Sequence, residues 1–151
     1  MKKRKISTPF GLYLITEENQ QIVEICHSSY KEMGSDKSLV LLLAERELME
    51  YFNGKRKKFS LPISFQGTSF QKKVWNELMK IPYGEVRSYK EIATLIGHPK
   101  AYRAVGSACN KNPIGVVVPC HRVVAANKKL GGFAYGADEK INLLKLEGYE
   151  I

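Results

Sequence analysis

Short apolar, β-prone runs broken by a polar turn mark the first part of the chain. The runs FGLYLIT (10–16) and QIVEIC (21–26), separated by the polar EENQ, predict a hairpin. Beyond a polar loop the pattern changes. LVLLLAERELMEYF follows Ser38, suited to an N-cap, and precedes Gly54, suited to a stop, so a helix is predicted there. GKRKKFSLP, basic and then broken by proline, predicts a surface linker. From Thr68 onward helical periodicity dominates. Thr68 and Gln71 have capping-box spacing, Phe70, Val74, Trp75, Leu78 and Ile81 share one face, and PYG (82–84) ends that helix. Ser88 and Glu91 form a second capping box, with Ile92, Leu95 and Ile96 as the apolar face and Gly97 as the stop. Another helix is predicted to begin with Pro99 at or near its first turn. Its small apolar face is Ala101, Ala104, Val105 and Ala108; its opposite face carries Tyr102, Arg103 and Ser107, with Asn110 and Lys111 at the end. A last helix is predicted from DEKINLLKLEG, capped by Asp138 and stopped at Gly148. These elements describe an α+β protein: a small N-terminal domain of antiparallel sheet plus helix over 1–60, then a mostly helical C-terminal domain over 61–151.

Two short helices joined by a turn of three or four residues containing glycine read either as a helix-turn-helix or as an ordinary αα-hairpin. Charge weighs on that choice. The 151 residues include 24 Lys+Arg against 15 Asp+Glu, a net charge of +9, which favours a polyanionic partner: nucleic acid or a membrane surface. The longest apolar run, LVLLLA (39–44), is far short of the ~20 residues that cross a bilayer. The basic start is interrupted by Pro9 and Gly11 before any signal-like apolar stretch can form, so a cytoplasmic protein is expected. Arg103 on the outward face then points to DNA. That face is slim, with Ala104 and Gly106, and poor in base-reading Asn, Gln and Arg, which suggests backbone or minor-groove contact.

The chemistry concentrates in NPIGVVVPCHRVVAA (112–126), where an apolar run is interrupted by Pro119, Cys120, His121 and Arg122. A lone cysteine in such a run is ordinarily inert core. Here Pro119 cannot donate to a sheet ladder, and His121 and Arg122 are costly to bury unpaired. The run therefore reads as a core strand broken at Pro119, with Cys120 facing a pocket whose positive, hydrogen-bonding surroundings lower its pKa. Glu147 shares the inward stripe of Leu143 and Leu144 and is a candidate acceptor for a histidine that activates the thiol; a solvent-facing Glu is the alternative. Asn112-Pro113 can brace the turn or be a simple Asn-Pro turn. The three cysteines show no CxxC spacing, so neither a disulfide framework nor a zinc site is indicated.

PCHRV (119–123) preceded by NP (112–113) resembles the active-site signature of the O6-alkylguanine-DNA alkyltransferases. The resemblance continues through FQKKVWNELMKIPYGEVRSYKEIA, PKAYRAVGSACNKNPI and LLKLEG, covering about 66–148. It implies a winged-helix-like helix-turn-helix whose second helix enters the minor groove of double-stranded DNA. Cys120 would accept the alkyl group from O6 of guanine, and from O4 of alkylthymine. His121, through a water, and Glu147 would deprotonate it, Asn112 would hold the turn, and Tyr89 would donate a proton to the departing base. Arg103 would fill the gap left by the flipped nucleotide, flanked by Tyr102, Ala104, Gly106, Ser107 and Lys111, with Arg122 also at the DNA. Cys109, Val123, Phe133 and Ala134 would line the guanine pocket. The loop GGFAYG departs from the family's commonest pattern at Phe133 and Ala134, where many relatives carry Tyr and Ser. The resemblance further implies a monomer that reacts once per molecule, with no cofactor and no metal; the alkylated form is expected to be less stable, because the added methyl enters a packed site. Two rivals remain: a lesion-binding relative without the transfer activity, in which the nucleophile is commonly tryptophan, and a helix-turn-helix transcription regulator with an incidental cysteine.

Overall fold

The chain opens with an antiparallel meander of three strands, β1 (Lys2–Thr8), β2 (Gly11–Glu18) and β3 (Gln21–His27), in the order β1-β2-β3. The sequence pattern predicts only the last two. KKRKIST is too basic to signal a strand, but it suits an edge, where Ile6 turns inward and the lysines reach water. The free side of β1 is met by a loop: Lys5 N–H donates to Gly34 O at 2.8 Å, and Asp36 N–H to Lys3 O at 3.0 Å. A Cβ on Gly34 would lie 2.9 Å from the Lys5 nitrogen, so only glycine allows this approach. Helix α1 (Leu39–Phe52) is capped by Ser38 as predicted and buries Leu41, Ala44, Leu48, Tyr51 and Phe52 at helical spacing; the Phe52 ring lies 5.4 Å from that of Tyr13 on β2. The structure, a computed structural model, describes residues 1–29, 31, 33–125 and 137–149.

Two compact units result. The first is Met1–Gln66 together with Pro113–Gly115, and the second is the remainder. Residues past 60 stay with the first unit because β3 holds them: Ile22 N–H donates to Pro62 O and Ser64 N–H to Ile22 O. Pro113–Gly115 joins the same strand in parallel, with Ile25 N–H donating to Pro113 O and Gly115 N–H to Ile25 O, both at 2.9 Å.

The second unit contains α2 (Ser69–Leu78), β4 (Arg87–Ser88), α3 (Tyr89–Leu95), α4 (Tyr102–Asn110), β5 (Val123–Val124) and α5 (Ala137–Leu146); β4 and β5 pair in parallel. Both predicted capping boxes, Thr68 with Gln71 and Ser88 with Glu91, are present. Gly54, Gly97 and Gly148 follow α1, α3 and α5 as C′ residues. Val74, Trp75 and Leu78 of α2 are buried, and the Trp75 indole N–H donates to Ala108 O of α4 at 2.9 Å. Four expectations are corrected. Leu95 is 59 % exposed, and Ala93 takes its place beside Ile92 in the core. Pro99 lies ahead of α4, in a turn closed by Ala101 N–H to His98 O, so the connection between the two helices is longer than predicted. Ala104 is exposed, and α4 buries Val105, Ala108 and Cys109 instead. Asp138 falls inside α5 rather than before it. Among the described residues no helix is long and apolar enough to cross a membrane.

Candidate active site and DNA-binding face

The valine run is not a core strand. Val116 sits at φ +69°, rare for a β-branched residue, and the chain turns through 115–118. Pro119 (φ −83°, ψ 64°) is the centre of an inverse γ-turn closed by Cys120 N–H to Val118 O at 2.8 Å. A single 3-10 turn, Cys120–Arg122, follows, and only Val123–Val124 pairs as a strand. The fixed φ of proline and its missing N–H explain why pairing fails at this point.

That turn is wired to the rest of the unit by buried hydrogen bonds. Asn112 Nδ2 donates to Val118 O at 2.9 Å and to Cys120 Sγ at 3.3 Å. His121 Nε2 lies 2.8 Å from Glu147 Oε2, and Arg122 donates from Nε to Glu147 Oε1 at 2.8 Å and from Nη2 to Oε2 at 2.9 Å. Arg122 Nη1 also donates to Ile81 O at 2.7 Å. Gly84 N–H donates to Glu147 Oε1 at 3.0 Å from the turn after α2. The Glu147 side chain is therefore fully buried and inward, as its stripe with Leu143 and Leu144 predicts.

Burial dominates the electrostatics. It pushes the Cys120 thiol up to about 12, although the Asn112 hydrogen bond and the Lys140 charge pull the other way. The expected low-pKa thiol is thus corrected: the lowering groups are there, and burial outweighs them. Burial likewise lowers His121, against the pull of Glu147, so the ring is neutral at pH 7. For Glu147 burial alone would raise the pKa, but hydrogen bonds from His121 and Arg122 reverse this and hold the carboxyl well below the usual range. His121 Nδ1 is buried and has no hydrogen-bond partner among the described residues.

Lys140 was not anticipated. It is fully buried, its Nζ donates to Val123 O and lies 5.7 Å from the centroid of the Tyr89 ring, and its charge favours the thiolate of both Cys120 and Cys109. A signal for it exists: Lys140 stands one heptad before Glu147, on the same inward stripe as Leu143 and Leu144. Tyr89 opens α3 half-buried, and burial, then the neighbouring Cys109 and Cys120, push its phenol up to about 12. Cys109 is buried in α4 and raised in pKa by that burial.

Tyr89 also meets the exposed face of α4. Together with Tyr102, Arg103, Gly106, Ser107 and Asn110 it lines one groove, and a Cβ on Gly106 would touch the Tyr89 ring. Arg103, Ala104, Ser107 and Lys111 are exposed. Arg122 is not part of this face: it is 7 % exposed and committed to Glu147 and Ile81 O, so the expectation that it contacts DNA is corrected. The charge would have been costly to bury alone, and the Glu147 carboxylate resolves that cost. Val123 is wholly buried in β5. Phe133 and Ala134 lie outside the described residues. Among the described residues no three His, Cys, Asp or Glu side chains gather as a metal site.

The chain matches the family described as "6-O-methylguanine DNA methyltransferase, DNA binding domain" over residues 69–149, and its "ribonuclease-like domain" over 1–65. The constitutive methylated-DNA–protein-cysteine methyltransferase of Bacillus subtilis is 45 % identical over 150 residues, covering 93 % of this chain and 91 % of that protein. A methylated-DNA–protein-cysteine methyltransferase of Methanosarcina acetivorans is 59 % identical over 105 residues, covering 70 % of this chain and 67 % of that one. Among solved structures, Mycobacterium tuberculosis OGT in complex with DNA superposes with a TM-score of 0.89 at 39 % identity, over 97 % of this chain and 92 % of the other. The chain belongs to the 6-O-methylguanine DNA methyltransferase family.

Proposed function

We propose that this protein repairs DNA by direct reversal, moving the alkyl group of O6-alkylguanine onto Cys120 in a single turnover. The observation that carries this reading is the wiring of one 3-10 turn: Cys120 is held by Asn112, while the adjacent His121 is held by Glu147 with its Nδ1 left as an acceptor. A buried neutral thiol does not react at rest, so its proton must leave during the reaction. His121 Nδ1 takes it through a water, and the imidazolium that forms faces the ionised Glu147. Sγ then bonds to the alkyl carbon as the carbon–O6 bond breaks. The electron pair goes to the guanine, and the Tyr89 O–H, protonated up to about 12, supplies the base with a proton that His121 restores. The Lys140 charge favours the thiolate in this step. The product thioether has no route back, so each chain reacts once.

The target atom is out of reach inside a duplex, so the nucleotide must be flipped out, which costs a few kcal/mol of stacking. The exposed face of α4 supports this role. Arg103 occupies the gap, and Tyr102, Ala104, Gly106, Ser107 and Lys111 follow the minor groove, with a single chain acting on the duplex.

The test is to mix the protein with duplex DNA containing O6-methylguanine and to measure its intact mass. The expected result is one added methyl per chain, mapped to Cys120 and absent in Cys120→Ala. Tight lesion binding with unchanged mass would overturn the reading in favour of a lesion-binding module.

A further inference from the structure

We propose that Arg122 is a positioning residue for alkyl transfer: by holding Glu147 as a carboxylate, it fixes which nitrogen of His121 carries the proton. The inference rests on the reading of Cys120 and His121 given above. A carboxylate offers about four lone-pair positions. On Glu147 each is met from a different direction: Oε1 by Arg122 Nε and the Gly84 N–H, Oε2 by Arg122 Nη2 and His121 Nε2. The guanidinium and the backbone amide can only donate. No position is left for a proton on the carboxyl, and the remaining contact, from His121, must be a donated N–H. The neutral ring therefore carries its proton on Nε2 and presents Nδ1 as a bare acceptor, the atom that lacks a partner in the described structure.

Without the guanidinium the arrangement reverses. A carboxyl buried beside a neutral imidazole, with the Gly84 N–H still donating to it, favours protonation. Its O–H then donates to Nε2, the proton of the ring moves to Nδ1, and the acceptor for the thiol proton is gone. Among the described residues, the other charged or titratable groups shown around the pair do not replace Arg122. Lys140 acts on His121 by lowering its pKa and donates to Val123 O, and the Tyr83 ring lies beneath the guanidinium at 5.8 Å, its hydroxyl donating to Leu146 O. Arg122 thus sets the tautomer through an ion pair 25 residues long in sequence.

The test compares Arg122→Met and Arg122→Lys in the full chain, each also combined with Cys120→Ser for measurements at equilibrium. In the Cys120→Ser protein, imidazole 15N chemical shifts should report the Nε2–H form of His121. Arg122→Met should move it toward Nδ1–H, and Arg122→Lys should restore it in part. Methyl transfer by Arg122→Met should fall about tenfold or more, as loss of a general base predicts. The acid limb of its pH–rate profile should move upward, while affinity for lesion duplex in the Cys120→Ser background stays unchanged. Should Arg122→Met not fold, Arg122→Lys alone decides through the same shifts and profile. Unchanged shifts and pH profile in a folded variant would overturn the inference. So would a loss of affinity with a salt slope reduced by about one, the mark of a phosphate contact. Absence of methyl transfer by the unmodified protein would instead sink the reading on which the inference rests.

Discussion

Replacing Asn112 by Asp exchanges one amide nitrogen for an oxygen and leaves no cavity, so it isolates what the two donated hydrogen bonds contribute. In the native turn Nδ2 faces two acceptors, Val118 O at 2.9 Å and Cys120 Sγ at 3.3 Å. An ionised Asp would set a carboxylate oxygen against both. The side chain escapes this only by taking up a proton. Held neutral at pH 7 against an unfolded pKa near 3.9, it destabilises the fold by about 4 kcal/mol, and at pH 5 by about 1.5 kcal/mol. These are upper values, because a turn that opens leaves the Asp ionised at lower cost; a loss of about 2–4 kcal/mol at pH 7 is expected. The sign is distinctive: a carboxyl whose folded pKa is raised loses stability as pH rises, so the gap to the native protein widens from pH 5 to pH 7. A protonated Asp has one O–H for two acceptors, so Cys120 loses its donor and methyl transfer should slow about tenfold or more. Urea denaturation at pH 5, 6, 7 and 8, with the slope unchanged and the native protein as reference, measures the first effect; intact-mass kinetics measures the second. A loss under about 1 kcal/mol at pH 7, or a gap independent of pH, would refute the claim that this amide holds the turn.

Two further outcomes follow from the same network. His121, lowered by burial, and Glu147, lowered by its hydrogen bonds despite burial, both bind protons more readily in the unfolded chain. Stability should therefore be full above the ordinary histidine value of 6.5 and fall as pH drops, first through His121 and then, below the ordinary carboxyl value of 4.5, through Glu147; a denaturation midpoint that stays flat from pH 7 to pH 4 would contradict this. Gly84 sits at φ +80° with its virtual Cβ 3.1 Å from the Glu147 carbonyl, so Gly84→Ala should cost about 1–2 kcal/mol, read as a lower melting temperature. An unchanged melting temperature would show that the backbone there tolerates a side chain.

Local signals were legible in the sequence wherever one turn of chain contains both partners. Ser38, the two capping boxes and the three stop glycines fall into this class, and so does the stripe that Glu147 shares with Leu143 and Leu144, which offered the inward direction beside a solvent-facing one. What could not be read locally depends on a distant partner or on the relative size of opposed effects. The basic β1 becomes a strand only because β2 and the loop at 34–36 pair with it. Arg122, in a chain of net charge +9, looks like a phosphate contact until Glu147 is seen to claim it. Pro119 announced that regular pairing would fail, yet not that the run before it would turn rather than extend. The sign of the Cys120 shift is of the second kind: the donors were foreseeable, the extent of burial was not.

The segment Pro113–Gly115 has a practical bearing on shortened versions of this protein. A chain cut after Gln66 keeps all of the second unit but discards the strand that donates one backbone hydrogen bond to that segment and accepts the other from it, and bares Ile114, which is fully buried. Asn112 immediately precedes the segment, and the strained Val116 immediately follows it. Such a truncation would thus slacken the stretch that leads to Cys120. A compact version should retain Gln21–His27, or supply a replacement strand edge for residues 113–115 to join.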